Sequence, residues 1–183
     1  MDYYPCQIQV LGNLLYLVWY SNATDGVVTQ AKERKELLLA FTSFEDADSW
    51  CAKRRITLIK SKELGKHDFD AIANWTCNPK SEILDCVNLN ICWNLLQDIS
   101  MSLYGCVFDG EFKNANVIYN KIFWGTNPPS LMKSSKPYRT KLSQKELSSM
   151  TRIFQSGLRM LLVNIKISDS ITIPEKRIVR NKK

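Results

Sequence analysis

The sequence has few of the residues on which most catalytic sites depend. It contains one histidine, His67, and seven glycines. One histidine excludes a His-rich metal site and a ribonuclease site that uses two histidines. No phosphate-binding glycine loop, zinc-protease motif or nucleophile elbow is present. His67 stands between Lys66 and Asp68 in a polar segment, which predicts a solvated turn rather than a catalytic base. We therefore expect a protein that is not an enzyme, with no catalytic residue, metal or cofactor.

Long apolar runs are also missing. The longest fall far short of the about 20 residues that a membrane-spanning helix needs. The first residues, MDYYPCQIQV, lack the basic start and apolar core of a signal peptide. None of the six cysteines forms a CxxC pair, and Cys51 and Cys92 fall at apolar helix positions, so buried reduced thiols are predicted. These features predict a cytoplasmic protein.

Charge is divided unevenly along the chain, which has a net charge of +7. Residues 1–130 carry 12 Lys and Arg against 15 Asp and Glu, whereas residues 131–183 carry 13 against 3. Length and composition suit one domain, predicted over residues 1–173. A solvated basic tail is predicted over residues 174–183, with Lys176, Arg177 and Arg180. The alternative is that the basic part binds nucleic acid.

Apolar patterns predict that the N-terminal third forms a sheet. A strand in YPCQIQVLGN is followed by LLYLVWYS (14–21), and Gly12-Asn13 separates the two. A turn follows in which Gly26 is free to take a positive φ. The continuous apolar run ELLLAFTS (36–43) predicts a strand that is buried on both faces. ITLIK (56–60) predicts the next strand.

Between these last two strands, the sequence predicts a crossover helix over residues 44–54. Thr42 with Glu45 fits a capping box, and Ser43 with Asp46 offers the same pairing one residue later, so both starts stay open. One helical face carries the apolar residues Phe44, Ala47, Trp50 and Cys51.

Helical periodicity dominates the rest of the chain. A short helix is predicted from Asp68 to Trp75, and Ser81 is the predicted cap of a long helix that ends at Leu103. The predicted apolar stripe of the long helix consists of Leu84, Val87, Ile91, Leu95 and Ile99. A last helix is predicted over residues 143–165, because Ser143 and Glu146 form a capping box.

The predicted fold class is therefore α+β. A small antiparallel or mixed N-terminal sheet with a crossover helix is followed by two long amphipathic helices that pack on it. In the segment YNKIFWGTNPP, the residues Tyr119, Ile122 and Phe123 fall at helical offsets, which favours a core position over a ligand-binding one. Asn127 precedes two prolines and must leave the helical region.

Several segments, in this order, resemble a family of bacterial immunity proteins from contact-dependent growth inhibition (CDI) systems. They are ELLLAFTSFEDADSWCAKRRITL, FDAIANW, CWNLLQDIS, YNKIFWGTNPP and SQKELSSMTRIFQSGLRMLL, which together span roughly residues 36–165. The resemblance implies a small cytosolic protein that binds and neutralises the C-terminal toxin domain of its cognate CDI effector, often a nuclease. An acidic protein would be expected to oppose a basic nuclease. The basic net charge departs from that pattern, but the acidic part of the chain can still provide an acidic face.

Six carboxylates are predicted to form the toxin-binding surface. They are Glu45, Asp46 and Asp48 at the start of the crossover helix, and Glu63, Asp68 and Asp70 after the following strand. If the helix and the later segment share one edge of the sheet, these residues form the densest acidic patch of the chain. They would then pair with Lys and Arg of the toxin. The alternatives are a solvated helix start with a polar loop, and a basic accessory protein that binds nucleic acid.

Overall fold

The chain forms an α+β fold, as the sequence predicts, with seven strands and five helices in the described residues. The computed structural model describes residues 1–32, 35–59, 65–81, 84–131 and 136–168. Five strands precede the first helix. The predicted domain boundary at residue 173, the basic tail and Glu63 lie outside the described residues.

A mixed sheet is the centre of the fold. Its strands are β1 (Asp2–Val10), β2 (Asn13–Ser21), β3 (Gly26–Val27), β4 (Thr29–Lys32), β5 (Lys35–Phe41), β6 (Lys66–Asp68) and β7 (Ile165–Ile167). The strand order is β4-β5-β2-β1-β6, while β3 pairs with β2 and β7 pairs with β5. β6 runs parallel to β1 and β7 runs parallel to β5, and the other pairs are antiparallel.

Helices cover both faces of the sheet. They are α1 (Phe44–Ala52), α2 (Phe69–Cys77), α3 (Cys86–Tyr104), α4 (Ala115–Gly125) and α5 (Gln144–Asn164). On β5, Leu39 and Phe41 pack with α1, whereas Leu38 and Ala40 point into the larger core that α2 to α5 form. This explains the continuous apolar run of β5, because both of its faces are buried. Of the helices described, none is long and apolar enough to cross a membrane.

Side-chain caps decide where the helices begin. α1 starts at the second of the two predicted caps, because the Ser43 side chain accepts a hydrogen bond from the Asp46 backbone N–H at 3.0 Å. α3 starts later than predicted, with Asp85 as its cap. Ser81 accepts a hydrogen bond from the Leu142 backbone N–H instead. Val87 is 56% exposed, so its predicted core position is wrong.

One predicted strand is wrong in its described part. Of residues 56–59, only Leu58 pairs with β1, in a single parallel bridge to Tyr3. The same edge of β1 pairs with β6 at Gln7, Ile8 and Gln9. The edge strand after α1 is therefore β6, a polar segment that the sequence predicts as a turn.

The aromatic segment before the two prolines lies partly in the core: Tyr119 and Ile122 belong to it as predicted, whereas Phe123 is half-buried and belongs to neither core cluster. Ile122 is fully buried in α4, and the Tyr119 ring lies 5.7 Å from the Trp93 ring. Asn127 leaves the helical region with a φ of 51°. Its side chain accepts a hydrogen bond from the Tyr138 backbone N–H. The segment is a helix end and a structural turn, not an open loop.

A charged residue at the start of α5 makes stability depend on pH. Glu146 accepts hydrogen bonds from Lys121 Nζ at 2.6 Å and from the Ser143 backbone N–H at 2.8 Å. These bonds lower the pKa of Glu146 from 4.5 to about 2. A lowered folded-state pKa adds stability above the unfolded-state pKa, and this stability is lost as pH falls through the folded-state pKa.

We therefore expect Glu146→Gln to lower the free energy of unfolding at pH 7 by about 1–2 kcal/mol. Glutamine can still accept the hydrogen bond from Ser143, so the loss of stability measures the contribution of the charge. The difference between the wild type and the variant should shrink as the pH falls from 4.5 towards about 2. Urea unfolding of both proteins across this range measures it. A pH-independent difference would show that the charge of Glu146 is not its cause.

Candidate functional site

The three acidic residues of α1 have different surroundings. Glu45 is exposed and Asp48 is half-buried. Neither of them forms an ion pair with a Lys or Arg of the described chain. The Asp46 carboxylate accepts a hydrogen bond from Ser43 Oγ at 2.6 Å, so it belongs to the helix cap. Glu45 and Asp48 are therefore the members of this group that can bind a partner without disrupting the cap of α1.

The two described acidic residues of the later segment, Asp68 and Asp70, stabilise the fold. The Asp68 side chain caps α2 through the Ala71 backbone N–H at 2.9 Å and lies 3.3 Å from Lys66 Nζ. Both oxygens of Asp70 accept hydrogen bonds from the β1–β2 turn, from the backbone N–H of Leu11 at 2.6 Å and of Gly12 at 2.8 Å. Both carboxylates already bind groups of the same chain. A structural role therefore explains both residues.

These two acidic groups share one end of the sheet but lie on opposite faces. The strand register places Phe41, the last residue before the loop to α1, level with Tyr16 of β2. Tyr16 is level with Gln7 of β1, which is level with Lys66 of β6. α1 therefore begins, and β6 ends, at the end of the sheet where the β1–β2 turn lies. Three strand spacings, about 14 Å, separate β5 from β6, and the two helices cover different faces. The described carboxylates thus form two groups rather than one patch.

A cavity of about 310 Å³ lies between α3 and one face of the β1–β2–β6 sheet. The sequence gives no sign of it, because its walls come from four separate elements and a loop residue. Its lining residues are Tyr4, Pro5, Cys6, Trp19, Gly65, His67, Ile91, Asn94, Leu95 and Asp98. The single histidine is thus in a strand beside this cavity, not in the solvated turn that the sequence predicts.

His67 and Cys6 are neighbours in the cavity wall. His67 Nδ1 lies 3.0 Å from the Gln7 backbone oxygen and 3.5 Å from Cys6 Sγ. Burial lowers the pKa of His67, which favours the neutral imidazole. Burial and the nearby charge of Asp98 raise the pKa of the Cys6 thiol to about 12. Since the thiolate is the reactive form of cysteine, this Cys–His pair is not an activated nucleophile.

The other cysteines differ in their burial. Cys51, Cys86 and Cys92 are buried, while Cys77 and Cys106 are exposed, so the prediction of buried thiols holds for four of the six. Burial raises the pKa of Cys51 to about 11. Among the described residues, no group of three or more His, Cys, Asp and Glu side chains could hold a metal ion.

Comparisons with known proteins add one structural similarity. No protein-family model matches the chain, and no curated protein matches it. Among solved structures, the chain is similar to the C-terminal domain of SatS, which was crystallised in complex with bromine. The two share 12% sequence identity and a TM-score of 0.48, over 91% of this chain and 94% of that one. A similarity of this size carries no information about function.

Proposed function

We propose that the protein is an immunity protein that binds the C-terminal toxin domain of a cognate CDI effector and neutralises it. The proposal rests on the segments that resemble CDI immunity proteins and on the order in which they occur in the sequence. The observation that carries the site is the pair of carboxylates, Glu45 and Asp48, on the first turns of α1, which no Lys or Arg of the described residues pairs with. Such groups attract a basic toxin, for example a nuclease, and raise the rate of association and the specificity more than the affinity.

The test is a variant that reverses both free charges, Glu45→Lys with Asp48→Lys. Asp46 is left unchanged because it belongs to the cap of α1. We expect the variant to keep its melting temperature and to co-purify poorly with the toxin domain. Its association rate at low salt should fall by about tenfold or more, and cells that express it should lose protection.

The matched control is Glu36→Lys with Glu111→Lys, which makes the same change in net charge at two other exposed acidic residues. This control should bind and protect like the wild type. If both variants lose binding equally, net charge rather than α1 determines recognition. Full protection by the α1 variant would place the interface elsewhere.

A basic stripe on α5 favours a second candidate, nucleic-acid binding. Lys145, Arg152 and Arg159 are exposed and stand seven residues apart. On a helix, this spacing places them on one side at intervals of about 10.5 Å. Cations in such a row can follow a phosphate backbone. Filter binding at two salt concentrations tests this candidate: salt-sensitive binding that is lost when all three become alanine supports it, and no binding by the full chain excludes it.

A further inference from the structure

Among the described residues that line the cavity beside α3, one has a charged side chain, and no described Lys or Arg forms an ion pair with it. This residue, Asp98, is half-buried. Burial raises the pKa of Asp98 above its usual range, although Trp19 donates a hydrogen bond to it. Removing a carboxylate from water costs free energy unless a partner compensates for it. A cation that enters the cavity would compensate for this cost.

Hydrogen bonds hold the Asp98 carboxylate and its turn of α3 in place. Trp19 Nε1 donates to Asp98 Oδ2 at 2.8 Å and fixes the carboxylate at the cavity wall. Ser102 Oγ donates to the Asp98 backbone oxygen at 2.8 Å and accepts from the Val27 backbone N–H at 2.9 Å. The bond between Val27 and Ser102 ties this turn of α3 to β3. The carboxylate is thus positioned before any ligand arrives, which lowers the entropic cost of binding.

Aromatic rings form the other part of the site. The rings of Tyr4 and Trp19 lie 5.5 Å apart, and both line the cavity together with Asp98. Aromatic rings attract organic cations through their negative faces. His67 does not oppose this attraction, because its lowered pKa favours the neutral form. Among the described residues that line the cavity, none apart from Asp98 carries a full charge.

We propose that this cavity binds an organic cation, an alkylammonium or guanidinium group, which Asp98 holds by its charge and Tyr4 and Trp19 hold by their rings. The cation has two chemical sources: a free small amine, or a Lys or Arg side chain of a protein partner. The site is separate from the carboxylates of α1, so the proposal of cation binding does not depend on toxin neutralisation.

The test is a nuclear magnetic resonance titration of the full chain that follows the indole N–H signals of its five tryptophans. The Trp19 signal is assigned by its loss in Trp19→Phe. The probes are agmatine and n-butylammonium as free cations, the blocked amino acids N-acetyl-lysine amide and N-acetyl-arginine amide, and n-butanol as the neutral counterpart. We expect a saturable shift of the Trp19 signal with the cations and none with n-butanol.

A variant that removes the charge of Asp98 but nearly keeps its shape tests whether the charge binds the cation. Asp98→Asn keeps an oxygen that can accept the Trp19 bond but removes the charge, so it should weaken cation binding by about tenfold or more. Asp2→Asn, at an exposed residue outside the cavity lining, is the matched control and should bind like the wild type. If Asp98→Asn does not fold, Tyr4→Leu tests the ring contribution and should weaken binding several-fold.

The outcomes distinguish a free amine from a side chain of a partner protein, and some of them would contradict the proposal. Tighter binding of the blocked amino acids than of the free amines assigns the site to a side chain of a partner protein. Tighter binding of the free amines assigns it to a small molecule. No saturable shift with any cation, an equal shift with n-butanol, or unchanged binding by Asp98→Asn would overturn the proposal.

Discussion

Trp93→Ala should lower the free energy of unfolding by about 3–5 kcal/mol, the largest loss expected of any single substitution considered. Trp93 is 1% exposed. Its ring centroid lies 6.1 Å from Phe108, 5.7 Å from Tyr119 and 5.4 Å from Phe154, so it links α3 to α4, to α5 and to the loop after α3. Its removal also deprives the buried carboxylate of Asp109 of an N–H donor at 3.0 Å.

A surface tryptophan provides the control for this prediction. Trp124 is 41% exposed, and Trp124→Ala should cost no more than about 1 kcal/mol. Urea unfolding with an unchanged m-value measures both losses. Trp93→Phe keeps a ring but removes the N–H, so its loss should fall between those of the wild type and Trp93→Ala. Equal losses for Trp93→Ala and Trp124→Ala would contradict the position of Trp93 at the centre of the core.

The second large effect is expected at the end of α4, where Gly125→Val should cost about 2–3 kcal/mol. A Cβ atom on Gly125 would collide with Thr140 Oγ1 and would lie 2.5 Å from Cys86 Sγ and 3.0 Å from Cys86 Cβ. Neither neighbour can withdraw easily. Thr140 Oγ1 donates a hydrogen bond to the Lys121 backbone oxygen at 3.1 Å, and Cys86 is the first residue of α3.

Gly65→Ala is the matched control, because a Cβ atom there would meet nothing within 4 Å. We expect it to shift the free energy of unfolding by no more than about 0.5 kcal/mol. Thermal melts of both variants make the comparison. A harmless Gly125→Val would mean that the close approach between α4 and α3 is not needed for stability.

Sequence alone predicted the features that depend on neighbouring residues. The start of α5 is an example, because the capping box joins Ser143 to Glu146, three residues away. The crossover helix is another: Ala47 and Cys51 are buried as their periodicity indicates. The double burial of β5 was also predictable, since its continuous apolar run has no polar face to turn towards water.

Features that depend on distant partners were missed or assigned to the wrong cause. β6 is the polar segment Lys66–Asp68, and only its pairing with β1 makes it a strand. The sequence predicts that Gly26 serves a turn with positive φ, yet its φ is not positive. Glycine is needed there because a Cβ atom would lie 2.6 Å from Tyr20 Cζ and 2.7 Å from Ser102 Oγ.

By itself, the sequence determined the fold class, the cap of α5, two possible caps of α1, the division of charge along the chain and the presence of carboxylates near helix starts. Only the tertiary structure decided which of the described carboxylates are bonded within the protein. Asp70 is bound by a turn 59 residues away, while Asp98 meets Trp19 across 79 residues and faces a cavity. The physical reason is that caps and periodicity act within a few residues, whereas the burial and pairing of a charge depend on segments that only folding brings together.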